Sequence, residues 1–455
     1  MQKLAIAFDD PVAWPAVPHS GGARVRDVLA ARYAAILNRP QVAHSQVGVE
    51  LEFPLCTRTG QALTIEDDVV GRIATALGLE VVGRSDTGEV ITVRTTDGQV
   101  TIGYEYARAV LEIALAPARD CLALSDLLGK VLGALDAVLA DLGLYLGDSG
   151  LHPQAWSRTA PPLPTPHYRA IDRFLKSATR GGDYHRFTGF IASCQTHVDA
   201  CAATAPLLSE TFRRAGFVAA LLMANSAGTW GGETHLVSRD HLWRSSAFGG
   251  LGSYAPRELA QDIDQFLRTQ AHQGLFMARR GQTVWSFDPV PLERLDAYPH
   301  VTARSDLGGV PIITQLRLTP EDARHYRAYG HAVPTAYGTI EVRGDCLQPR
   351  DAILAPAAFT LGLGALALPV ARYLAEVTGD ADPMHLRATA AQHGWAMPTD
   401  MLKRPLDEIC QTTLAFARQG LQARGFDEAV LLEPLFQRAA QRTNPAAAQL
   451  QAQGA

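Results

Sequence analysis

Apolar and ionisable residues alternate in several short segments of this chain, most clearly in VGVELEFPL, Val47–Leu55. Side chains point alternately to the two faces of a strand, so Glu50 and Glu52 share one face and the apolar residues share the other. Burying carboxylates without a partner costs several kcal/mol at least. We therefore expect a cation over the acidic face, either an Arg or Lys side chain or a metal ion.

A second segment with this pattern is GTIEVRGD, Gly338–Asp345. It predicts a strand in which Glu341, Arg343 and Asp345 share one face and two aliphatic residues share the other. A half-exposed antiparallel strand with an internal ion pair explains the same pattern. The segment alone leaves both interpretations open.

Two more predicted strands carry polar residues among apolar ones. Glu112 lies within the apolar run LEIALAP, where a lone acid is unusual. Glu105 reaches the same site only if the intervening turn folds back, and a solvated position is the alternative. In ASCQTHVDA, Gln195, His197 and Asp199 share a face, although a structural histidine and a helix-capping aspartate are the alternatives.

Helical periodicity and turn residues predict the remaining elements. We expect helices at Arg24–Asn38, Ile65–Leu77, Leu122–Leu142, Ala205–Ala224, and from Pro349 to about Ala440. We expect further strands at Glu80–Val93, Gln99–Ile102, Leu111–Leu115 and Thr188–Asp199, with a hairpin turn at Asp97–Gly98. Residues 1–440 are predicted to form a single catalytic domain whose C-terminal part is helical from about residue 350. Residues 441–455 contain few bulky apolar residues and are predicted to be disordered.

The composition is that of an ordinary globular protein: 47% of the 455 residues are hydrophobic, and the net charge is −5. Nothing in it indicates nucleic-acid binding.

The six cysteines form no CxxC pair, so we expect reduced thiols and a cytoplasmic location. The first residues do not read as a signal peptide. Glycines and prolines interrupt the most apolar stretch, Leu354–Leu374, which therefore predicts a buried helix rather than a membrane span.

The predicted strands carry four carboxylates, and the one nearby cation, Arg343, cannot neutralise all four negative charges. Several hard oxygen ligands favour Mg²⁺ or Mn²⁺ over zinc. The sequence has no Walker A loop, and it lacks the hydrolase, metalloprotease and kinase signatures. A bound nucleotide would therefore be held through metal ions. The four carboxylates are Glu50, Glu52, Glu112 and Glu341.

One long segment, ANSAGTWGGETHLVSRDHLW, joins the end of a predicted helix to a glycine-rich loop. Asn225 is either a substrate contact or a helix C-cap. Arg239 is either a bidentate clamp for a carboxylate or a surface charge. Trp243 follows four residues after Arg239 and completes the segment.

In order and content, these segments resemble the glutamate–cysteine ligase family, and most of all its plant and bacterial branch. The matching motifs are VELEF, LEIALAP, TGFIASCQTHVD, the ANSAG to DHLW segment and YGTIEVRGD, within about residues 40–370. The resemblance implies an α+β fold with a curved, mainly antiparallel sheet of the glutamine-synthetase-like type. Helices would pack on the convex side, and Mg²⁺ or Mn²⁺ and ATP would bind the concave face.

The resemblance also implies a reaction: ATP drives formation of a γ-glutamyl amide from L-glutamate and an amine, normally cysteine, through a γ-glutamyl phosphate. Arg343 and Glu341 would be catalytic. The implied metal ligands are Glu50, Glu52, Glu105, Glu112, Gln195 and Glu341. The implied substrate contacts are Arg239, Asn225, Trp243 and His197.

Three positions depart from the family pattern: Ala227 replaces a proline, His197 an asparagine and Pro334 an arginine. Accordingly, a divergent ligase that uses another amine is an alternative, as are a metal-dependent γ-glutamyl amide hydrolase and a non-catalytic relative. The expected partners are small molecules, with no nucleic acid and no membrane. We expect a monomer or homodimer that acts in glutathione biosynthesis.

Overall fold

The computed structural model contains both strands and helices and describes residues 22–176, 183–251, 260, 262–298, 300–307, 310–326 and 330–454. The N-terminal residues examined for a signal peptide lie outside these ranges. The strands are β1 Val47–Thr57, β2 Glu80–Arg84, β3 Val90–Arg94, β4 Val100–Tyr104, β5 Val110–Ala118, β6 Leu144–Leu146, β7 Ser193–Asp199, β8 Gly228–Trp230, β9 Glu233–His235, β10 Gly274–Arg280, β11 Thr283–Pro291, β12 Val301–Leu307, β13 Val310–Leu316, β14 Ala332–Pro334 and β15 Thr339–Cys346.

Some helices pack against the apolar face of one large sheet, and others pack on a smaller sheet or on other helices. The helices are α1 Gly22–Arg32, α2 Ala34–Asn38, α3 Val69–Leu77, α4 Cys121–Asp141, α5 Pro166–Leu175, α6 Ala205–Met223, α7 Ser238–Ser245, α8 Ile263–Ala271, α9 Ala355–Ala365, α10 Ala367–Thr378, α11 Pro383–His393, α12 Leu406–Arg424, α13 Glu433–Gln441 and α14 Pro445–Gly454.

Nine strands form the main sheet in the order β14-β15-β7-β1-β5-β4-β3-β2, and β6 also pairs with β1. Each strand pair is antiparallel. Pro334 lies on the edge strand β14, a position where the missing N–H breaks no ladder. The predicted α+β fold class with a mainly antiparallel sheet is therefore confirmed.

The apolar faces of the central strands form the core with the helices. Val49, Leu51 and Phe53 of β1 are fully buried in the same cluster as residues of α4, α6 and α9. Burying these side chains fixes which way β1 faces, because a one-residue slip would turn them outward. The acidic residues of β1 must therefore point to the opposite face.

Helix α9 lies against α12 at very close range. A Cβ on Gly362 would come within 2.2 Å of the Ala417 carbonyl oxygen, and one on Gly420 within 2.0 Å of the Gly362 carbonyl oxygen. Gly362 therefore allows the close packing of these two helices. Within the described ranges, no helix alone has the length and apolar composition for a membrane crossing. Arg350–Ala365 and Ala367–Thr378 meet those criteria only as a pair, which is bent by 96°.

Four sequence predictions of structure need comment. The hairpin turn at Asp97–Gly98 is confirmed, because it joins β3 to β4. The helix predicted at Arg24–Asn38 is interrupted at Tyr33, and the strand predicted at Glu80–Val93 is two strands, β2 and β3. The prediction that the tail from residue 441 is disordered is wrong for residues up to 454, because α14 packs on the helical core.

Long-range contacts explain the order of the tail. The Asn444 side chain accepts from the Ala447 N–H at 2.9 Å and donates to the Leu221 carbonyl at 3.0 Å. The Ala446 N–H donates to the Ala224 carbonyl, and Ala446 is fully buried. A four-stranded sheet, β10-β11-β12-β13, was not predicted at all.

Candidate functional site

Strands β5, β1, β7 and β15 are consecutive in the main sheet, and their registers align the polar residues on one face. Residues directly opposite each other on neighbouring antiparallel strands have adjacent side chains. The opposed pairs are Glu52 with Glu112, Glu50 with Gln195, and Glu341 with His197.

The first group on this face, the histidine cluster, consists of Glu50, His197 and Glu341, whose ligand atoms lie within 4.8 Å of one another. His197 Nε2 is 3.4 Å from Glu50 Oε1, and its Nδ1 is 3.1 Å from the Thr339 hydroxyl. The Thr339 hydroxyl, in turn, is 2.7 Å from that of Thr335. The sequence predicted a substrate contact for His197, whereas the structure directs its Nε2 into a group of carboxylates.

The charges of this cluster stabilise one another. Burial lowers the pKa of His197, but hydrogen bonding to Glu50 and the negative charges of Glu341 and Glu50 outweigh it and raise the pKa overall. Burial likewise raises the pKa of Glu50, but His197 and Arg343 lower it overall. A cation at this position would compete with the proton for the imidazole nitrogen.

The second group, the carboxylate cluster, consists of Glu52, Glu105 and Glu112, also within 4.8 Å. Glu105 follows β4, and its N–H donates to the Val110 carbonyl at 3.2 Å, so the turn does fold back. The structure therefore brings together all five carboxylates that were predicted as metal ligands, in two neighbouring groups.

The protein compensates the negative charge of the carboxylate cluster only in part. The charge of Arg343 lowers the pKa of Glu105, but burial and the neighbouring carboxylates outweigh it. Burial and the charges of Glu52 and Glu50 raise the pKa of Glu105 to about 7. Burial and the charge of Glu105 raise the pKa of Glu112 well above its ordinary value. Such a cluster favours binding of either protons or a divalent cation.

Gln195 connects the two clusters. Its Nε2 donates to Glu52 Oε1 at 2.6 Å, and it lies opposite Glu50 on the neighbouring strand. The Gln195 side chain is buried, and its Oε1 has no hydrogen-bond partner among the described residues. The amide oxygen thus has no partner among the described residues, and its role as a metal ligand stays a prediction.

A β-bulge in β15 separates Arg343 from Asp345. Val342 is opposite Thr196 but Asp345 is opposite Cys194, so one extra residue lies between them. The prediction that Asp345 shares the acidic face is therefore wrong: the bulge turns it to the face of Cys194, where it is buried. Arg343 stays beside the acidic face, with its Nε 3.4 Å from Glu341 Oε1.

Arg343 also lines a small cavity beyond the acidic face, together with Arg239 and Trp243 of α7. The Arg239 side chain is buried, and its Nε has no hydrogen-bond partner in the described parts of the chain. A buried guanidinium with an unused donor fits an anionic ligand. Arg239 and Trp243 thus line the same cavity as Arg343, and their roles as substrate contacts stay predictions.

Asn225 is a structural residue, and its predicted role as a substrate contact needs correction. It is fully buried, and its amide nitrogen donates to the carbonyls of Asp148 at 2.6 Å and Leu347 at 2.8 Å. Its amide oxygen accepts from Gln449 at 3.0 Å. Each polar atom of the side chain is already used inside the protein.

Sequence reasoning missed the buried charges behind the cavity, in particular Arg387 of α11 and its partner Asp240 of α7. A signal for Arg387 does exist. It lies at helical spacing from Met384 and Ala391, which are buried, and so belongs to the apolar stripe of its helix. A charge on such a stripe requires a buried partner.

Comparison with known proteins identifies a family for the chain. Residues 46–452 match the family model described as glutamate-cysteine ligase family 2. No curated protein matches the chain in a sequence search. Similar solved structures include a glutamate–cysteine ligase from Francisella tularensis in complex with AMP (TM-score 0.49, 9% identity, 90% of this chain and 84% of that chain).

Two longer proteins are also similar. One is the ligase PafA in complex with the prokaryotic ubiquitin-like protein Pup (TM-score 0.45, 10% identity, 88% of this chain and 64% of that chain). The other is a bifunctional glutathione synthetase from Pasteurella multocida (TM-score 0.43, 11% identity, 94% of this chain and 50% of that chain). The chain therefore spans less than two thirds of either protein.

Proposed function

The chain belongs to glutamate-cysteine ligase family 2, and from this we propose that it is an ATP-dependent carboxylate–amine ligase. One observation carries the proposal. The histidine cluster and the carboxylate cluster share one sheet face, and Arg343 joins that face to the cavity of Arg239. This arrangement suits a reaction that brings the phosphates of ATP next to a carboxylate substrate.

The side chains of the two clusters fit divalent cations. Five carboxylates supply the hard oxygen ligands that Mg²⁺ and Mn²⁺ prefer, and one imidazole nitrogen is compatible with Mn²⁺. Burial and the neighbouring carboxylates raise the pKa values of Glu105 and Glu112, which a bound cation would counteract. Bound cations would neutralise charge on the phosphates of ATP and on the oxygen that attacks them. We propose that Gln195 holds Glu52 in position and offers its amide oxygen to a bound cation.

The other residues would position the reactants. We assign Arg239 to the carboxylate group of L-glutamate that does not react, and Trp243 to the wall of that site. We assign Arg343 to the phosphoryl group during transfer. Glu341 would be catalytic through its place in the histidine cluster and its contact with Arg343.

The chemistry needs no protein nucleophile. The γ-carboxylate of glutamate attacks the terminal phosphorus of ATP, which gives γ-glutamyl phosphate and releases ADP. The amine nitrogen then attacks the acyl carbon, the C–O bond to phosphate breaks, and the nitrogen loses a proton. The buried thiols are poor nucleophiles in comparison: burial raises the pKa of Cys56 to about 11.

We propose cysteine as the amine, which would give γ-glutamylcysteine. A divergent member that uses another amine remains the alternative, because His197, Ala227 and Pro334 differ from the family pattern. A cytoplasmic location, a monomer or homodimer, a single domain and a role in glutathione biosynthesis stay predictions from the resemblance.

The test is an ADP-release assay with ATP, Mg²⁺ and L-glutamate, run across a panel of amino acids and simple amines. Mass spectrometry identifies the product. We expect ADP release that depends on both the amine and the divalent cation, and that is fastest with cysteine. A matched control is Glu80→Gln, which alters an exposed strand glutamate at the sheet edge; Glu341→Gln serves as the inactive variant.

Two outcomes would contradict the proposal. Hydrolysis of a γ-glutamyl amide without ATP would assign the chain to the metal-dependent hydrolases. ATP binding without turnover for any amine would make it a non-catalytic relative. Faster ADP release with another amine would be consistent with the ligase class, but that amine would replace cysteine as the proposed substrate.

A further inference from the structure

Arg387 makes an unusually complete set of contacts in the interior. Its Nε donates to Asp240 Oδ2 at 2.6 Å, and its Nη2 donates to Asp240 Oδ1 at 3.2 Å. Nη2 also donates to the Gly344 carbonyl at 2.6 Å, and Nη1 donates to the Gly216 carbonyl at 2.8 Å. Only 2% of the Arg387 surface is exposed, so water does not substitute for any of these bonds.

One end of this network fixes helix α7. Asp240 directly follows Arg239, the residue that we assign to the substrate carboxylate. A bidentate Arg–carboxylate pair fixes both direction and distance, which a single hydrogen bond does not. Arg387 therefore determines where the start of α7, and with it Arg239, lies relative to the sheet.

The other end fixes the bulge in β15. Gly344 directly follows Arg343, and its carbonyl accepts from Arg387. The Arg343 N–H donates to the His331 carbonyl at 2.8 Å. A Cβ on Gly344 would lie 2.1 Å from His331 Nδ1 and 2.7 Å from Arg387 Nη2, so only glycine fits this position. The bulge that aims Arg343 at the acidic face is thus held on both sides.

Arg387 also forms part of the wall of the cavity between these residues, with Arg239, Trp243, His331, Arg343 and Gly344. One buried guanidinium therefore contacts both elements that carry the two functional arginines. Catalytic groups must be held within a fraction of an ångström of their working geometry, by side chains that are themselves fixed.

We propose that Arg387 is a positioning residue that sets the distance between Arg239 and Arg343, and so between the substrate carboxylate and the phosphoryl group. The proposal rests on the ligase function proposed above. Arg387 does not touch substrate in this scheme. It acts through Asp240 on one side and through the Gly344 carbonyl on the other.

The test compares Arg387→Lys with Arg424→Lys. Arg424 is a matched control: it is buried, pairs with Glu428 at 2.7 Å, and donates to the carbonyls of Arg119 and Ser45. Both variants lose a buried fork of donors, but only the first borders the cavity. The KM for glutamate, the KM for ATP and kcat are measured at a temperature where urea titration shows each variant folded.

We expect Arg387→Lys to raise the KM for glutamate about tenfold and to lower kcat, with the KM for ATP within about twofold of wild type. Arg424→Lys should lose similar stability and keep both KM values. Because Arg387 acts through Arg239, the double variant Arg239→Lys/Arg387→Lys should raise the KM for glutamate little more than Arg239→Lys alone. Equal KM values for glutamate in the two single variants, or fully additive effects in the double variant, would overturn the proposal.

A second variant and a second readout keep the proposal testable. Asp240→Asn removes the ion pair but keeps the shape of the side chain, and should reproduce the shift in KM for glutamate if Arg387→Lys does not fold. Glutamate affinity is also measured by calorimetry without ATP. A wild-type protein that binds glutamate without turnover would contradict the ligase function alone, whereas unchanged affinity in Asp240→Asn would contradict the positioning role. A wild-type protein that does not bind glutamate would overturn both.

Discussion

Replacing Glu105 by glutamine should stabilise the protein without divalent cations and destabilise it relative to wild type with them. Burial and the charges of Glu52 and Glu50 raise the pKa of Glu105 from 4.5 to about 7. A rise of this size corresponds to on the order of 3 kcal/mol. The favourable contribution of protonated Glu105 to the free energy of unfolding is complete below pH 4.5 and is lost as the pH rises through about 7.

At pH 8 in EDTA, wild type therefore carries an unfavourable charge that Glu105→Gln lacks. We expect the variant to be more stable by up to about 3 kcal/mol, which is about 3 °C in Tm for a chain of this length. A cation at a thousand times its Kd would stabilise wild type by about 4.1 kcal/mol, which exceeds the advantage of the variant. The variant should gain much less, so the order of the two Tm values should reverse.

The assay is thermal and urea unfolding at pH 8, in EDTA and in saturating Mg²⁺, repeated at pH 5. The difference in EDTA should shrink at pH 5, because Glu105 is then protonated in wild type. The control variant is Glu80→Gln, whose carboxylate is half-exposed and weakly paired, and which should behave as wild type throughout. If Glu105→Gln were less stable than wild type in EDTA at pH 8, the reasoning from charge repulsion would be refuted.

Three further predictions concern activity and cation binding. Glu50→Gln and Glu341→Gln should each lower cation-dependent ATP turnover by about a hundredfold or more while far-ultraviolet circular dichroism stays unchanged; activity within a few-fold of wild type would remove them from the site. Arg239→Lys should raise the KM for glutamate about tenfold and leave the KM for ATP within twofold, since lysine lacks the bidentate fork; a change in the KM for ATP alone would reassign it. Calorimetry should show Mg²⁺ binding about tenfold more weakly at pH 6 than at pH 8, because Glu105, whose pKa is about 7, is protonated at the lower pH; affinity independent of pH would contradict the assignment of that cluster.

The acidic face could be predicted because its cause is local. Alternation along β1 places Glu50 and Glu52 together, and the apolar residues that alternate with them must face the core. The registers that set Glu341 opposite His197 are not readable from any one segment. They follow once each strand turns its apolar face to the same layer of helices.

The position of Asp345 could not be predicted by the same rule. Simple alternation assigns it to the face of Glu341, but the bulge inserts one residue and reverses the parity of the strand. Gly344 was the available signal, because a glycine within a strand often marks a bulge or a close backbone contact. Gly344 lies within the bulge, and it is also in close contact with His331 and Arg387.

Residues whose roles depend on distant partners were the hardest to predict. Asn225 looked like a functional asparagine in a glycine-rich segment, yet its partners are Asp148, Leu347 and Gln449. The tail was judged from its composition, although buried contacts with the end of α6 order it. The sheet β10–β13 carries no motif that indicates chemistry, and its strands were therefore not predicted.

The most direct test of the central claim is anomalous diffraction from crystals soaked with Mn²⁺ and a non-hydrolysable ATP analogue. We expect one peak among Glu50, His197 and Glu341 and a second among Glu52, Glu105 and Glu112, with the phosphates of the nucleotide against both. Peaks elsewhere on the protein, or nucleotide phosphates bound away from this face, would contradict it.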